Sequence, residues 1–328
     1  MSHPALAASR EQPDAAQRRL AHASSGLDAL VDWEHRARAA MRVDLAPIRD
    51  LLARLGDPHR RVRVVHVTGS KGKGSVCALI EAGLLHAGLR AGRYASPHLQ
   101  QLNERVSVLG RPIADAALAD ALSTTLDALG AARKAGTQGG AATWFDAMTA
   151  AAFLAFADAG LEWAVVEVGL GGRLDSTNVV LPELAVITNI GLEHCDVLGA
   201  SREAIAAEKA GIIKQGRPVL TTLADDDGAG RVIAAQARAL GAPLHRVEIA
   251  GMAGVSRTNL RLARRALTLL GDRGVHSPRR HARLGADDLP ASVAADARLP
   301  ATMAITSVRP GTSVGRSIGS SAMCSSPR

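Results

Sequence analysis

The first 250 residues alternate between short apolar runs and longer stretches in which apolar positions recur at helical spacing. Residues 163–168 and 184–190 are predominantly apolar runs of strand length, a pattern typical of strands buried between two layers of helices. Other apolar segments of similar length predict further strands at residues 62–67, 89–95 and 219–223.

Amphipathic segments predict helices between these strands. A first helical region, residues 27–55, stops at a Gly-Asp-Pro turn at residues 56–58. The other predicted helices cover residues 76–87, 114–129, 146–159, 202–213 and 229–240. Strands that alternate with helices in this way predict an α/β fold with a parallel sheet flanked by helices and right-handed crossovers.

The pattern divides the chain into three regions. Residues 1–25 are polar and alanine-rich, and we expect them to be disordered. Residues 26–251 carry the alternating strands and helices. In residues 252–328 the sequence predicts one helix near 259–270, followed by a segment without sustained periodicity that we expect to be a disordered basic tail.

The net charge of +8 belongs to the last region alone. Residues 252–328 hold 12 arginines and four aspartates but no lysine or glutamate, so residues 1–251 are electrically neutral. The basic tail has no interleaved aromatic residues that could stack on bases. The charge therefore does not indicate a nucleic-acid-binding protein.

The composition is that of a globular protein, with 47% apolar, 21% charged and only 2% aromatic residues, so its cores must be aliphatic. No apolar run reaches the ~18 residues of a membrane span, and the start lacks the apolar segment of a secretory signal. The three cysteines show neither metal-ligand spacing nor a disulfide framework. We expect a cytoplasmic monomer with no membrane or nucleic-acid partner.

The most informative segment is a glycine-rich turn at residues 68–75, Thr-Gly-Ser-Lys-Gly-Lys-Gly-Ser, between a predicted strand and a predicted helix. Such a turn lets backbone N–H groups face a polyphosphate, and the helix start adds positive charge. Lys73 is placed for the β- and γ-phosphates and Ser75 for magnesium. The spacing differs from the general P-loop and from the dinucleotide-binding pattern. A plain glycine turn between strand and helix is the alternative interpretation.

This departure resembles the phosphate loop of the folylpolyglutamate synthase/dihydrofolate synthase family, within the Mur ligase superfamily. Four further segments resemble motifs of that family in the same order. They read Ser-Pro-His-Leu at 96–99 with Asn-Glu-Arg at 103–105, Glu-Val-Gly-Leu-Gly-Gly-Arg-Leu-Asp at 167–175 with Thr-Asn at 177–178, Asn-Ile-Gly-Leu-Glu-His at 189–194, and Glu-Lys-Ala-Gly-Ile at 208–212.

The resemblance implies a Mur ligase central domain at residues 26–251, with ATP and Mg²⁺ as cofactors. Most of the implied nucleotide-binding residues lie in the glycine-rich turn. They are Gly69, Ser70, Lys71, Gly72, Lys73, Gly74 and Ser75, together with Asn259. Asn259 is the one retained position of a His-Gln-x-x-Asn helix start that the family carries farther along its chain.

The resemblance also implies a magnesium site and a catalytic set. The implied metal ligands are Ser75, Ser96, Glu167 and His194, and the implied catalytic residues are Lys73, His194 and Lys209. Ser96, Glu167 and His194 follow predicted strands, so they can meet at the carboxyl edge of a parallel sheet. The lysine that matches Lys209 is carbamylated in the family. From the residues alone, a hydrogen-bonded structural role is the favoured interpretation of His194, and Lys209 could be a surface lysine paired with Glu208 or a nearby acid.

A substrate-binding segment is implied by residues 143–146, which resemble the Thr-aromatic-Phe-Glu segment that contacts the pterin substrate of the family. The matching residues are Thr143, Trp144, Phe145 and Asp146, and Leu174 matches another pterin-side position. Asp146 replaces the family's glutamate, which shortens its reach by one methylene. Ordinary core packing at a helix start is the alternative for Trp144 and Phe145.

The implied activity is ATP- and Mg²⁺-dependent addition of L-glutamate to dihydropteroate, to folate, or to both, through an acyl phosphate. The family's second, C-terminal α/β domain supplies an Asp-Gly-Ala-His-Asn-Pro motif that this sequence lacks, so we expect that domain to be largely missing. The alternative is therefore a non-catalytic nucleotide- and pterin-binding remnant. A Mur-type ligase acting on peptidoglycan precursors is disfavoured by the motifs at residues 96–99 and 170–175.

Overall fold

The computed structural model describes residues 13–30, 44–248 and 254–297. Each predicted strand is present, and its ends lie at most three residues from the predicted ends. The strands are β1 (Arg63–Thr68), β2 (Ala91–Tyr94), β3 (Val106–Val108), β4 (Arg111–Pro112), β5 (Trp163–Glu167), β6 (Leu184–Ile187), β7 (Val219–Thr221), β8 (Leu244–Arg246), β9 (His276–Ser277) and β10 (Ala282–Arg283).

In the described part of the chain, eight strands form one sheet in the order β4-β3-β2-β5-β1-β6-β7-β8. Strands β2, β5, β1, β6, β7 and β8 run parallel, as expected for an α/β fold. The predicted parallel sheet is confirmed, and it is extended at one edge by β3 and β4, which pair antiparallel. Leu109 and Gly110 both have positive φ, which matches a two-residue hairpin turn.

Helices cover both faces of the sheet. They are α1 (Pro13–Asp28), α2 (Ala46–Arg54), α3 (Lys73–His86), α4 (Asp115–Lys134), α5 (Trp144–Asp158), α6 (Cys195–Leu198), α7 (Arg202–Ala210), α8 (Gly228–Ala239), α9 (Val255–Asp272) and α10 (Ala291–Asp296). Helices α1, α2, α4 and α5 share a core with Val64 and Val166, whereas α3 and α9 pack with Val65 and Val165 on the opposite face. Helices α7 and α8 pack with Ala185 and Val219.

The N-terminal expectation is corrected by α1. Residues 13–25, expected to be disordered, belong to this helix, whose Leu20, Ala23 and Leu27 are buried in the core beside α4. The predicted continuous helix over 27–55 is also wrong, because α1 ends at Asp28 and α2 begins at Ala46. Residues 1–12 and 31–43 lie outside the described residues.

The domain boundary expected at residue 251 is not supported by the packing. Helix α9 is longer than the predicted 259–270, and its buried Leu262, Ala266 and Leu267 join the same core as α3. The hairpin of β9 and β10 and helix α10 follow it. Much of the expected disordered tail is therefore part of the folded unit, and only residues 298–328 lie outside the described residues.

No helix in the three described ranges is long and apolar enough to cross a membrane.

Candidate active site

The glycine-rich turn connects β1 to α3 and has a backbone that only glycine can adopt without strain. Gly69 and Gly72 have φ values of +144° and +81°. A Cβ atom at Gly69 would overlap the Thr188 hydroxyl, and one at Gly72 would lie 2.7 Å from Asn259 Oδ1. The turn is therefore pressed against the loop after β6 on one side and against α9 on the other. Asn259, a predicted nucleotide contact, is brought to the turn.

Lys73 begins α3, and its ammonium group lies inside the turn. Its Nζ donates to the Gly69 carbonyl over 3.0 Å, and its side chain is half-buried. Burial raises the pKa of Glu167, and the positive charge of Lys73 opposes that rise. For Glu193, burial is outweighed by the charges of Lys209 and Lys73, which lower the pKa. Ser75 lies two residues after Lys73 in the first turn of α3, with Gly74 between the two, and is half-buried.

Lys209 on α7 is a buried cation, not a surface lysine. It is only 2% exposed, its Nζ donates to Gly69 O over 3.2 Å, and it forms an ion pair with Glu193 Oε1 at 2.8 Å. Burial lowers the pKa of Lys209, and the carboxylate of Glu193 opposes that shift. The alternative, a surface lysine paired with Glu208 or a nearby acid, is wrong about the surface and about Glu208, which pairs with Arg173 at 2.9 Å, but Lys209 does pair with another acid, Glu193.

Glu167 ends β5 with its carboxylate enclosed by protein. The residue is 5% exposed, and its Oε2 accepts one long hydrogen bond, 3.4 Å from the Ser96 backbone N–H. Burial raises the pKa of Glu167 to about 7, against the opposing charges of Lys73 and of two arginines. The structure thus brings Ser96 and Glu167 together beside the phosphate loop, as expected.

His194 lies in the segment that follows β6, next to Glu193. It has a left-handed φ of 47°, caps the short helix α6, and is half-buried. In the described residues, no group of three or more His, Cys, Asp or Glu side chains is close enough to hold a metal ion. The predicted metal set has only two such side chains, Glu167 and His194, and takes its other oxygens from Ser75 and Ser96.

The predicted substrate segment forms the start of α5, and its polar groups are used by the helix itself. Thr143 caps the helix, and Asp146 Oδ2 accepts from the Thr143 N–H (2.9 Å) and hydroxyl (2.8 Å). Asp146 Oδ1 accepts from Ser176 Oγ at 2.6 Å, and the residue is 4% exposed. Burial raises the pKa of Asp146. Its carboxylate therefore holds the helix start in place.

The two aromatic residues of this segment differ. Trp144 is buried, its Nε1 donates to Asp28 at 3.1 Å, and the Arg105 guanidinium lies 4.6 Å from its ring. Core packing, the alternative considered for both, fits Trp144. Phe145 is half-buried, and its Cζ lies 2.6 Å from the position that a Cβ atom on Gly169 would take. Leu174 is half-buried as well.

Asp175 was not singled out from the sequence. Its Oδ2 accepts from the Leu170 N–H at 2.9 Å, its Oδ1 accepts from the Thr177 N–H at 3.0 Å and from the Thr177 hydroxyl, and it lies beside Phe145 over Gly169. Burial raises the pKa of Asp175 to about 6. In the sequence, Asp175 is a single acidic residue after a Gly-Gly-Arg-Leu stretch, and this context does not indicate that its side chain is buried.

Comparison with known proteins identifies the same architecture. Residues 114–269 match the Mur ligase middle domain. The dihydrofolate synthase/folylpolyglutamate synthase of Bacillus subtilis is 44% identical over 196 residues, which are 58% of this chain and 44% of that protein. The chain thus spans less than half the length of this curated relative.

Two solved structures resemble the described fold. A structure named FPGS–AMPPCP–folate complex superposes with a TM-score of 0.63 and 36% identity, covering 69% of this chain and 53% of that one. Folylpolyglutamate synthase from Thermotoga maritima superposes with a TM-score of 0.68 and 27% identity, covering 83% and 65%. Residues 114–269 therefore resemble the Mur ligase middle domain, and the chain is similar, over about half of their length, to the folylpolyglutamate and dihydrofolate synthases.

Proposed function

We propose that the chain provides the ATP-binding part of an ATP- and Mg²⁺-dependent ligase that adds L-glutamate to dihydropteroate, to folate, or to both. The observation that carries the proposal is the convergence of Lys73, Glu167, Lys209 and Glu193 on the phosphate loop. All four lie at the carboxyl edge of a parallel sheet, where open α/β folds bind their ligands.

The reaction would proceed in two steps. A carboxylate oxygen of the pterin substrate attacks the γ-phosphorus of ATP, so that ADP leaves and an acyl phosphate forms. The amine nitrogen of L-glutamate then attacks the acyl carbon, inorganic phosphate leaves, and the nitrogen loses a proton to give the amide. Both steps gather negative charge on phosphoryl oxygens, so positioning and charge neutralisation supply most of the catalysis.

Within this scheme the loop residues Gly69 to Ser75 and Asn259 surround the nucleotide phosphates. Lys73 Nζ, which donates to Gly69 O, would turn to the β- and γ-phosphate oxygens. Lys209 holds the loop carbonyl and Glu193 in fixed positions. Phe145 and Leu174, both half-buried, line the side where the pterin ring would lie, and Thr143 and Asp146 maintain the start of α5 beneath them.

The residues fit a magnesium ion. Glu167 is a buried carboxylate with one long hydrogen bond, and a nearby cation would remove the cost of burying its charge. Ser75 and Ser96 would add oxygen donors, which Mg²⁺ prefers, and His194 would add a nitrogen donor, which is unusual for this ion. When bound, the ion would neutralise charge on the phosphate oxygens.

Three matches support the proposal: the middle-domain match, the B. subtilis relative, and a similar structure named as a complex with an ATP analogue and folate. Carbamylation of Lys209, which the resemblance implies, would exchange its ion pair with Glu193 for an oxygen ligand near a magnesium ion.

The test is ADP release by the purified 328-residue chain with Mg-ATP, dihydropteroate and L-glutamate, together with mass detection of the amide. We expect glutamate-dependent ADP release with product, lost at least a hundredfold in Lys73→Ala. Lys134→Ala, an exposed lysine at the end of α4, is the matched control and should be unchanged. Full activity in Lys73→Ala would disprove the proposal. ATP binding that depends on Lys73 without turnover would favour the non-catalytic alternative.

A further inference from the structure

We infer that Asn189 is a positioning residue that holds the apex of the phosphate loop in its nucleotide-binding conformation and ties it to the segment carrying Glu193 and His194. The inference rests on the proposed nucleotide-binding role of that loop. Asn189 lies two residues after β6, has a half-buried side chain, and is not among the residues expected to touch nucleotide, metal or pterin.

The side-chain amide of Asn189 pairs with both backbone groups of one loop residue. Its Oδ1 accepts from the Lys71 N–H at 3.0 Å, and its Nδ2 donates to the Lys71 carbonyl at 2.9 Å. The backbone carbonyl of Asn189 also accepts from the Ser70 N–H at 3.0 Å. Asn189 therefore pairs with the loop apex as a neighbouring strand would.

Residues on either side of Asn189 extend this contact. Thr188 Oγ1 donates to the Lys71 carbonyl at 2.7 Å. Ser70 Oγ donates to the Gly191 carbonyl at 3.1 Å and accepts from the Gly191 N–H at 2.9 Å. We call residues 188–191 the clamp segment. It contacts loop residues 70 and 71 through both backbone and side-chain hydrogen bonds.

The loop needs such support because its own sequence favours disorder. Gly69 and Gly72, which flank the apex, have the greatest backbone freedom of any residue type, and the Lys71 side chain is exposed. Without the clamp, nucleotide binding would have to order the loop, which costs about 1–2 kcal/mol per residue fixed. A loop already held in place binds more tightly, because that cost has been met on folding.

Only asparagine provides this pairing at residue 189. Leucine has nearly the same shape but neither hydrogen-bonding group, and glutamine is one methylene longer. The clamp segment is followed within two residues by Glu193, which pairs with Lys209, and then by His194. A displacement of the loop apex would thus be passed to residues that contact Gly69 from the other side.

The test compares wild type, Asn189→Leu and Thr188→Val in ligand-free and ligand-bound form. Deuterium exchange of the Lys71 amide should be faster in Asn189→Leu. Calorimetry should give about a tenfold weaker affinity for Mg-ATP, because two hydrogen bonds of modest net value are lost. Affinity for dihydropteroate should stay within about twofold, and a merely structural defect would lower both. Thr188→Val, which leaves Asn189 bonded to Lys71, should show the same effects more weakly.

Gln138→Leu is the matched control, since it makes the same change from amide to leucine at an exposed residue far along the chain. It should alter neither exchange nor affinity. Unchanged exchange at Lys71, or unchanged Mg-ATP affinity in Asn189→Leu, would overturn the inference and leave the proposed function intact. A wild-type chain that does not bind Mg-ATP would instead refute the proposed function, and the role of Asn189 in nucleotide binding with it.

Discussion

At the residue scale, close approach decides what the phosphate loop tolerates. Gly69 lies so near Thr188 that any Cβ would overlap its hydroxyl oxygen, and its φ of +144° is a conformation that other residues rarely adopt. Two independent costs therefore act on the same residue: backbone strain and steric overlap. Gly216 has a positive φ of +66°, but no atom of the described residues lies within 4 Å of where its Cβ would be, so it carries only the first cost.

Gly69→Ala should abolish measurable Mg-ATP binding, because the overlap must displace either the loop or the clamp segment. Gly216→Ala should bind Mg-ATP as wild type does and lose only about 1 kcal/mol of unfolding free energy. Titration calorimetry and urea denaturation of the two variants separate the effects. Equal losses of affinity in both would show that strain, not overlap, explains the requirement for glycine.

At the scale of secondary-structure elements, a buried ion pair joins α3 to β2. Arg93 Nε donates to Glu81 Oε2 at 3.0 Å, with both side chains at most 7% exposed, and Ser107 Oγ donates to Glu81 Oε1 at 2.6 Å. Burial raises the pKa of Glu81, and the charge of Arg93 opposes that shift. Neither residue belongs to the motifs that identify the family, and neither was predicted to be paired.

Arg93→Met should destabilise the protein by about 3–5 kcal/mol, because it leaves the Glu81 carboxylate buried without a counter-charge. The double variant Arg93→Met/Glu81→Gln should regain most of that loss, since the neutral amide still accepts from Ser107. Urea unfolding of wild type, both single variants and the double variant gives the coupling free energy. Additive losses would contradict the interpretation that an uncompensated charge causes the instability.

Several strands and one helix cannot be recognised from the sequence pattern. The strands of the central sheet are marked by apolar runs, but β3, β4 and β8 are two or three residues long, too short for a period to be visible. Helix α1 was missed because its polar, alanine-rich sequence hides the buried Leu20, Ala23 and Leu27 on one face. Its order comes from packing on α4, which no local pattern reports.

At the scale of the whole molecule, the folded state disfavours a proton on His66. The residue is fully buried in β1, its Nε2 lies 2.9 Å from the Thr177 hydroxyl, and its Nδ1 has no hydrogen-bond partner among the described residues. Burial, aided by the charge of Lys214, lowers the pKa of His66 from 6.5 to about 3. The Thr177 proton goes to Asp175, so His66 donates from Nε2 as a neutral ring.

Acid should therefore destabilise the protein through His66. Between pH 6.5 and about 3 the unfolded chain binds a proton that the folded chain does not, so stability falls as pH falls through that window. Asp175 and Glu167, with pKa values raised to about 6 and about 7, act oppositely: their contribution is lost as pH rises through those values.

His66→Gln retains a donor toward Thr177 and removes the titration. From pH 6.5 to pH 4 the melting temperature of this variant should fall less than that of wild type. The corresponding difference in unfolding free energy should be on the order of a few kcal/mol. Calorimetric scans of both proteins across this range measure it. Parallel melting curves for the two proteins would mean that His66 is already charged, or accessible to solvent, in the folded state.

The sequence by itself determined the class of fold, the phosphate loop and the family resemblance. Those properties depend on local features: apolar runs, helical periodicity, and the order of residues within motifs. It also placed Ser96 and Glu167 at one edge, since the carboxyl ends of parallel strands must meet there. Tertiary structure alone decided that Lys209 is buried against Glu193, that Asp146 serves its own helix, that Asp175 lies beside Phe145, and that Asn189 pairs with the loop. Neighbouring residues in the sequence do not specify these contacts, because burial and pairing arise only when the secondary-structure elements pack together.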